Sequence, residues 1–421
     1  MRGLLRRRAV ALALVMAAGA AQAGGPLDLH EAVARALAAN PALQALDAQA
    51  RAAGERVPQA GALPDPMVNF GAANLPIDGF DLTQTPMTQL QVGVSQRLPF
   101  PGKLALRERI ARHRAEAAAR QVDARRLELR ARVIRAWWAV FSTDRALEAV
   151  RRSEDLVTRL IEVARTRYQV GQGTQGDVLL AQLERERLAD RRLALVARRG
   201  AQAAELLRLM AEEGETVALP DAAPPLPDPQ ALALPALMRT AQDHNPELAA
   251  VRARVQAAEA RVELAKKDYR PDFTASAAYG WRDDRTDLYS LRLGVSLPIY
   301  TARKQDPQLA EARARLAEER ARLADLEDRI RARLQAALAD YRSAHAQVAL
   351  YRDRILPQAQ QTVESTLSSY QVGKAGFTNV IRAEVTLDEY DSRRWQAYGD
   401  AWQTLAAIEA QIGKELNHDR P

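Results

Sequence analysis

The sequence contains the same series of segments twice. A heptad ladder in the first half, Leu127, Ala131, Ile134, Trp138 and Phe141, recurs 203 positions later as Ile330, Leu334, Ala337, Tyr341 and Ala344. The segment YQVGQGTQGDVLLA at 168–181 recurs as YQVGKAGFTNVIRA at 370–383, and LQVGVSQRLPF at 90–100 recurs as LRLGVSLPIY at 291–300. Because helix, turn and strand duplicate in one order, the pattern predicts a wall-like structure built from two similar halves rather than a globular catalytic domain.

The repeats divide the chain into five segments. Four arginines precede a short apolar run, Ala9–Ala18, and the small-x-small site at Ala21–Ala23, which predicts a secretory signal peptide. The predicted segments are the signal peptide at 1–23, the first repeat at 24–213, a proline-rich connector at 214–235, the second repeat at 236–415 and a tail at 416–421. No later stretch approaches 18 uninterrupted apolar residues, so we predict no transmembrane helix.

Charge and composition argue against several classes of function. The net charge is +7, but the predicted signal holds four arginines and no acid, which leaves +3 on an exported chain, so we predict no nucleic-acid partner. The chain has no cysteine, and no two of its five histidines lie three to five residues apart. With no catalytic motif either, we predict no enzyme activity, no metal site and no cofactor.

Hydrophobic periodicity predicts long helices and four short strands. Residues 103–170 contain neither glycine nor proline, which as one helix would measure about 100 Å. Prolines at 58, 64 and 66 should end the first helix, and Pro357 should interrupt a later one. Helices are predicted at about 27–57, 103–170, 177–208, 236–269, 308–356, 358–372 and 378–412, and amphipathic strands at 67–73, 90–98, 273–281 and 289–297.

The four strands suggest an incomplete membrane barrel. We predict strands of about nine to eleven residues, which can cross a bilayer when tilted. Four strands cannot close a barrel, and open edges are excluded in lipid, so three chains giving twelve strands is the simplest closure. A small soluble sheet with one wet face is the alternative.

At this point the chain resembles a known family. The duplicated helix–strand–loop–strand–helix order, the pairs Asn40-Pro41 and Asn245-Pro246, and the two YQVG hairpins make residues 27–415 similar to the TolC-like outer-membrane efflux family. The resemblance implies a mainly α fold: a homotrimer with a twelve-stranded β-barrel in the outer-membrane lipid of a Gram-negative bacterium and an α-helical tunnel in the periplasm. It also implies a periplasmic adaptor and an inner-membrane pump as partners.

Two further segments resemble one branch of that family. QAGALPDPMVNFGAANLP and PMTQLQVGVSQRLPFPGK, within 59–103, are similar to the CusC- and CzcC-like proteins that serve heavy-metal pumps of the resistance-nodulation-division type. The expected function is passive conduction of substrate, heavy-metal ions first, from pump and adaptor to the exterior. The alternatives are a duct for drugs or for type I protein secretion, a periplasmic coiled-coil adaptor or scaffold, and a secreted hydrolase.

The hairpin turns hold the candidate functional residues. The turn glycines are Gly171, Gly173, Gly176, Gly373 and Gly376. Gly171 and Gly373 fit left-handed helix C-caps, and the next helices could be capped by Thr174 or Asp177 and by Thr378 or Asn379. The resemblance implies a closed periplasmic constriction at these turns, with candidates Asp177, Asn379, Arg382, Tyr168 and Tyr370 and a pairing of Asp177 with Arg382. Asn379 and Arg382 replace acids of the family's motif, which implies a less acidic gate.

Overall fold

The computed structural model describes residues 25–77, 79 and 85–416, and its elements repeat in one order. The first copy contains α1 (Leu29–Ala39), α2 (Pro41–Gly61), β1 (Met67–Ala73), β2 (Gln89–Leu98), α3 (Lys103–Gln169) and α4 (Gln175–Met210). The second contains α5 (Leu234–His244), α6 (Pro246–Lys267), β3 (Asp272–Trp281), β4 (Leu288–Ser296), α7 (Gln305–Leu350), α8 (Leu356–Gln371) and α9 (Phe377–Ile412). The predicted signal peptide and residues 417–421 of the predicted tail lie outside the described residues.

Two predictions about the first helices of each copy are wrong in detail. The predicted helix at 27–57 is divided at Asn40, and that at 236–269 is divided at Asn245, because each asparagine takes an extended conformation before a proline. Pro58 does not end α2, which continues to Gly61. A proline in the last turn removes only one helical hydrogen bond, and the helix tolerates that loss near its end.

Pro357 changes the helix without ending it. A π-helical turn at Tyr351–Ile355 joins α7 directly to α8, and Pro357 lies in the first turn of α8. A wider turn relieves the clash that a proline ring makes with the carbonyl group four residues earlier. The counterpart position in the first copy is Glu154, and α3 is one continuous helix there.

The described residues form two compact units, and each draws on both sequence copies. One, here called the hairpin unit, comprises residues up to Asn40, Leu129–Pro229 and Asp340–Ala406. The other, here called the strand unit, comprises Pro41–Glu128, Gln230–Ala339 and residues from Ala407 onward. A sequence repeat is therefore not a packed unit: each unit combines corresponding parts of both repeats.

Aromatic residues fill part of the hairpin unit. Trp137, Trp138 and Phe141 on α3 are at most 1% exposed, and Trp138 stacks on Tyr398 and Trp402 of α9. These rings remove large apolar areas from water, which stabilises the contact between α3 and α9. The ladder residues Trp138 and Phe141, predicted from the heptad spacing, are thus buried.

Buried aromatic residues of α3 and α7 anchor two irregular segments of the hairpin unit. The Trp137 indole Nε1 donates a hydrogen bond of 3.0 Å to the carbonyl oxygen of Leu27, ahead of α1. The Tyr341 hydroxyl on α7 donates one of 2.5 Å to the carbonyl oxygen of Pro227 in the connector. Each bond satisfies a polar tip on a buried ring, and each attaches an irregular segment of the chain to a long helix.

The strand unit contains one antiparallel sheet in the order β1-β2-β3-β4. Its register places Val68 opposite Val94, Val92 opposite Tyr279, and Tyr279 opposite Tyr289. β1 has the seven residues of the predicted 67–73 segment, which is shorter than the general expectation of nine to eleven, and the others have nine or ten. Large apolar side chains are exposed on both edge strands: Phe70 is 78% and Leu293 is 87% exposed.

The asparagines of the two Asn-Pro pairs make equivalent hydrogen bonds in the two copies. The Asn40 side chain donates a 3.0 Å hydrogen bond to the carbonyl oxygen of Leu209, in the last turn of α4. The Asn245 side chain donates one of 2.7 Å to Gln411, in the last turn of α9. Both amides therefore satisfy a carbonyl group at a helix C-terminus, which explains why asparagine stands there twice.

None of the helices in the described part of the chain has a stretch long and apolar enough to cross a membrane.

Candidate functional site at the hairpin turns

The two hairpin turns have the same backbone. Gly171 and Gly373 take left-handed conformations, with φ of 75° and 78°, as predicted for helix C-caps. In each turn the residue after the glycine donates to a carbonyl group of the preceding helix, over 2.8 Å in both cases: Gln172 to Arg167, and Lys374 to Ser369. Both bonds close the six-residue ring of a Schellman motif.

The helices that follow the turns begin differently. The Thr174 hydroxyl accepts from the Asp177 backbone N–H over 3.2 Å, and the Asp177 carboxylate accepts from the Thr174 N–H over 3.4 Å. This reciprocal capping box fixes the first turn of α4, which includes Gly176. In the second copy α9 begins at Phe377, so Thr378 and Asn379 lie inside its first turn and do not cap it.

The two equivalent tyrosines have opposite environments. Tyr370 is 2% exposed and packs edge-to-face on Phe377, within an apolar cluster that includes Leu160 and Val380. Tyr168 is 50% exposed. Burial, with the Asp177 carboxylate nearby, raises the pKa of the Tyr370 hydroxyl, and the Arg167 guanidinium opposes this. Asp177 and Tyr370, predicted as candidates from opposite halves of the chain, therefore lie near enough to interact electrostatically.

Arg167 links the two turns, although it is not among the residues predicted from the sequence. Its guanidinium donates from Nη1 to the carbonyl oxygen of Tyr370 and from Nη2 to the carbonyl oxygen of Gln172, the latter over 3.0 Å. It also lies over the Tyr370 ring, 4.9 Å from the centroid. The signal in the sequence was an asymmetry: Ser369 stands 202 positions later, so only the first copy has an arginine there.

The remaining glycine of the first turn makes room for this arginine. A Cβ atom on Gly173 would lie 3.1 Å from the Arg167 Cβ, which is closer than ordinary packing allows. A Cβ on Gly373 would lie 3.2 Å from Arg167 Nη2. One glycine from each turn thus borders Arg167.

Asn379 and Arg382 lie in a different place from Asp177. They line a groove of about 480 Å³ between α8 and α9, together with Thr362, Thr366 and Tyr390. Within the part of the chain that the structure describes, no ion pair joins Asp177 to Arg382. The predicted pairing of these two residues, between neighbouring helices, stays a prediction.

A buried polar cluster that the sequence analysis also missed joins α9 to α3. Glu384 and Asp388 are 8% and 5% exposed. The Ser153 hydroxyl lies 2.7 Å from Asp388 Oδ2, to which it donates, and 3.3 Å from Glu384 Oε1. Their positions continue the apolar spacing Phe377, Val380, so acids at core positions of a heptad were the available signal.

The environment of the two acids favours their neutral forms. Burial raises the pKa of the Glu384 carboxyl, with a further contribution from the Asp388 carboxylate, against the Ser153 hydroxyl and Arg152. Burial also raises the pKa of Asp388, while Ser153 and Arg191 act in the other direction. A single hydroxyl hydrogen cannot satisfy two buried carboxylates at once, so the cluster is better satisfied when it binds a proton.

The site has the geometry of a mechanical contact. Among residues 25–77, 79 and 85–416, no group of three or more histidine, aspartate or glutamate side chains could hold a metal ion. What the turns offer is one charged side chain that joins two helical hairpins, a buried ring beneath it and a capped helix beside it.

Comparison with known proteins identifies the family of the chain. The family model described as "Outer membrane efflux protein" matches residues 32–215 and 237–414, one match for each sequence copy. A curated relative, the cobalt-zinc-cadmium resistance protein CzcC of Cupriavidus metallidurans, is 23% identical over 93% of this chain and 91% of its own length.

Solved structures share the fold. The outer membrane protein VceC of Vibrio cholerae superposes with a TM-score of 0.77 at 20% identity, over 92% of this chain and 96% of that one. CusC, described as forming a transmembrane channel, superposes with a TM-score of 0.79 at 16% identity, over 94% and 96%. At these identities the likeness concerns the fold, which is the TolC-like fold expected from the sequence.

Proposed function

The chain belongs to the outer membrane efflux protein family, and from that premise we propose that it is the outer-membrane duct of a tripartite efflux system for heavy-metal ions. Members of this family are transport channels and not enzymes. Membership in this family excludes the two alternative functions of a periplasmic adaptor and a secreted hydrolase. The proposal also covers four features of the duct: its assembly, its gate, its partners and its cargo.

Three copies form the duct. The support is that β1 and β4 are the two edges of the four-stranded sheet, and that both carry exposed large apolar side chains. An edge in lipid leaves backbone groups without hydrogen bonds, so β4 of one copy pairs with β1 of the next until twelve strands close. The helical hairpins then extend into the periplasm.

The hairpin turns form the resting constriction. Arg167 ties the first hairpin to the second through the Tyr370 carbonyl group, and its charge lies against the Tyr370 ring. Charge-assisted hydrogen bonds are among the stronger polar contacts in proteins, so the tie favours one arrangement of the two hairpins. Asp177, Asn379, Arg382, Tyr168 and Tyr370 lie at or beside this constriction, and an adaptor opens it by binding better to the dilated form.

Heavy-metal ions are the proposed cargo, and a pump in the inner membrane supplies the energy. The support is the similarity to CzcC, whose name states cobalt, zinc and cadmium resistance. Identity of 23% leaves drugs and secreted protein as the alternative cargoes. The pump and the adaptor are the partners that the family resemblance implies.

One observation carries the proposal of a gated duct: the hydrogen bond from Arg167 to the Tyr370 carbonyl group of the opposite hairpin turn. Purified protein in planar bilayers tests it. We expect small, rarely open wild-type channels and a large, steady conductance for Arg167→Ala, with Tyr370→Phe behaving as wild type because the acceptor is a backbone carbonyl. An Asp177→Ala, Arg382→Ala double variant should also open more often if these residues pair between copies.

The outcomes separate the gate from the duct. Conductance in every variant with no increase in Arg167→Ala would overturn the role of Arg167 in the gate. A complete lack of conductance in wild type and variants would overturn the duct itself. For the cargo, a strain deleted for the gene should lose resistance to zinc, cobalt or cadmium, and sensitivity to organic toxicants alone would favour the drug alternative.

A further inference from the structure

The corner between β2 and α3 contains a buried lysine with acidic partners. The Lys103 side chain is 5% exposed, and its Nζ lies 2.8 Å from Asp272 Oδ1 and 3.5 Å from Asp268 Oδ1. Nζ also donates a 3.1 Å hydrogen bond to the carbonyl oxygen of Arg270. Lys103 is the first residue of the helix after β2, and Asp272 is the first residue of the neighbouring strand β3, so the contact ties two adjacent strands at one end of the sheet.

The duplication places the same two residue types at the outer edges of the sheet. Lys304 immediately precedes α7, the helix that follows β4, within LPIYTARK, as Lys103 ends LPFPGK. Asp65 follows a proline just before β1, as Asp272 follows Pro271 at the start of β3. Lys304 and Asp65 are both exposed, and within the described residues neither side chain has a recorded ion pair.

The strand order brings these two ends together when copies join. With four antiparallel strands in the order β1-β2-β3-β4, β4 of one copy meets β1 of the next in antiparallel orientation, as β2 meets β3 inside the chain. The chain enters β1 from α2 and leaves β4 toward α7, as it enters β3 from α6 and leaves β2 toward α3. Lys304 and Asp65 of the partner subunit therefore lie at the same end of this joint.

We infer that Lys304 forms an ion pair with Asp65 of the partner subunit, so that the joint between copies reproduces the Lys103–Asp272 contact inside each copy. The inference rests on the proposed trimer. Opposite charges on adjoining edges also select this pairing over the contact of two identical edges. In copies inserted in the same direction, β1 against β1 would be parallel and would bring two aspartates together. The occupant of this sheet edge is thus a second copy of the chain.

The joint between copies is the weaker of the two contacts. Lys103 has two carboxylates and a carbonyl group, whereas the sequence around Asp65, GALPDP, offers Lys304 one carboxylate. A single exposed-edge pair is less stabilising than a buried cluster. We therefore expect copies to separate at this joint before the sheet of one copy unfolds.

Zero-length cross-linking tests the pair without a new side chain. A carbodiimide joins a lysine amine to a carboxylate only when the two are in contact, and the purified protein in detergent is the sample. We expect covalent dimers and trimers after denaturing electrophoresis, with Lys304 and Asp65 joined in the cross-linked peptide. Lys304→Arg, which keeps the charge but has no primary amine, and Asp65→Asn should each abolish these bands.

Charge reversal gives an independent readout. Lys304→Glu and Asp65→Lys should each lower the temperature at which the detergent-resistant trimer separates, and the double variant should restore it. Lys266→Glu is the matched control, since Lys266 pairs with Glu263 of its own helix.

Three results are decisive. A trimer by light scattering whose cross-links vanish in Lys304→Arg and Asp65→Asn supports the pair. A trimer with cross-links that survive those substitutions, or with none in wild type, overturns the pair and leaves the duct intact. A monomer in detergent overturns both.

Discussion

The two hairpin turns begin from nearly the same sequence and reach different environments. Each has a YQVG segment, a left-handed glycine and the same backbone hydrogen bond. The first turn exposes Tyr168, caps α4 with a threonine and sends Arg167 across to the second. The second buries Tyr370 and has Gly376 at the start of α9.

The difference shows what a repeated motif specifies. Glycine conformation and the bonds around it depend on residues within six positions, so both copies form them. Burial of Tyr370 depends on Phe377, seven residues along its own copy, and on Leu160 of the other copy, and the positions that correspond to these two hold Gln175 and Thr362 or Val363. Duplication therefore preserved the turn, while the two copies diverged at Arg167, which corresponds to Ser369, and at Glu384, which corresponds to Gln182.

The largest test of the comparison is to remove each tyrosine side chain. Tyr370→Ala should cost about 3–5 kcal/mol of unfolding free energy, because it leaves a cavity in a packed cluster. Tyr168→Ala should change it by less than about 0.5 kcal/mol, since that ring is half exposed. Urea unfolding of the detergent-solubilised protein measures both, with Tyr370→Phe as the control that keeps the ring. Equal losses for the two alanine variants would contradict the assignment of one buried and one exposed tyrosine.

Substitution of the turn glycines should give the next largest loss of unfolding free energy. Gly171→Ala and Gly373→Ala each force an alanine into the left-handed region, at a cost of about 1–2 kcal/mol. Gly373→Ala should be the more costly, because its Cβ would press on Arg167 Nη2 whereas nothing lies within 4 Å at Gly171. Gly176→Ala, within a helical turn, is the control and should not destabilise. A larger loss of unfolding free energy for Gly171→Ala than for Gly373→Ala would mean that the Arg167 side chain moves aside at little cost.

The helix caps offer a smaller contrast. Thr174→Ala should cost about 1 kcal/mol because the first turn of α4 loses a capping box. Thr378→Ala should have an effect within about 0.5 kcal/mol, since Thr378 lies inside α9. The same unfolding measurement applies, and a larger loss at Thr378 would show that it stabilises the second turn after all.

The last contrast, between the buried acids of α9 and an exposed acid of α4, concerns how stability depends on pH. Because the pKa values of Glu384 and Asp388 are raised in the folded chain, folding binds protons, and the acids reduce stability as pH rises from their ordinary values near 4 through the raised values. The melting temperature of a Glu384→Gln, Asp388→Asn variant should therefore fall less than that of wild type between pH 4 and 8. The control is Glu186→Gln, at the exposed counterpart of Asp388 in the first copy. Parallel curves for wild type and the double variant would contradict the role of the pair.

Much of the architecture could be predicted, and the reasons are local. The 103–170 prediction matches α3 because that stretch has no glycine or proline, and the predicted strands match β1 to β4 within two residues because alternation is a short-range pattern. The error at Pro58 also has a local cause: a proline near a helix end costs less than one in a helix interior. The predicted interruption near Pro357 is the π-helical turn at Tyr351–Ile355.

The functional residues divide in the same way. The sequence by itself determined the duplication, the left-handed turn glycines and the Thr174 cap, since each acts through neighbours in the chain or is visible in both copies. Only the tertiary structure decided that Arg167 reaches Tyr370, 203 positions away, that Ser153 meets two acids of α9, and which tyrosine is buried. Those contacts depend on how distant helices pack, and packing is the sum of many weak contacts that no single segment of the chain contains.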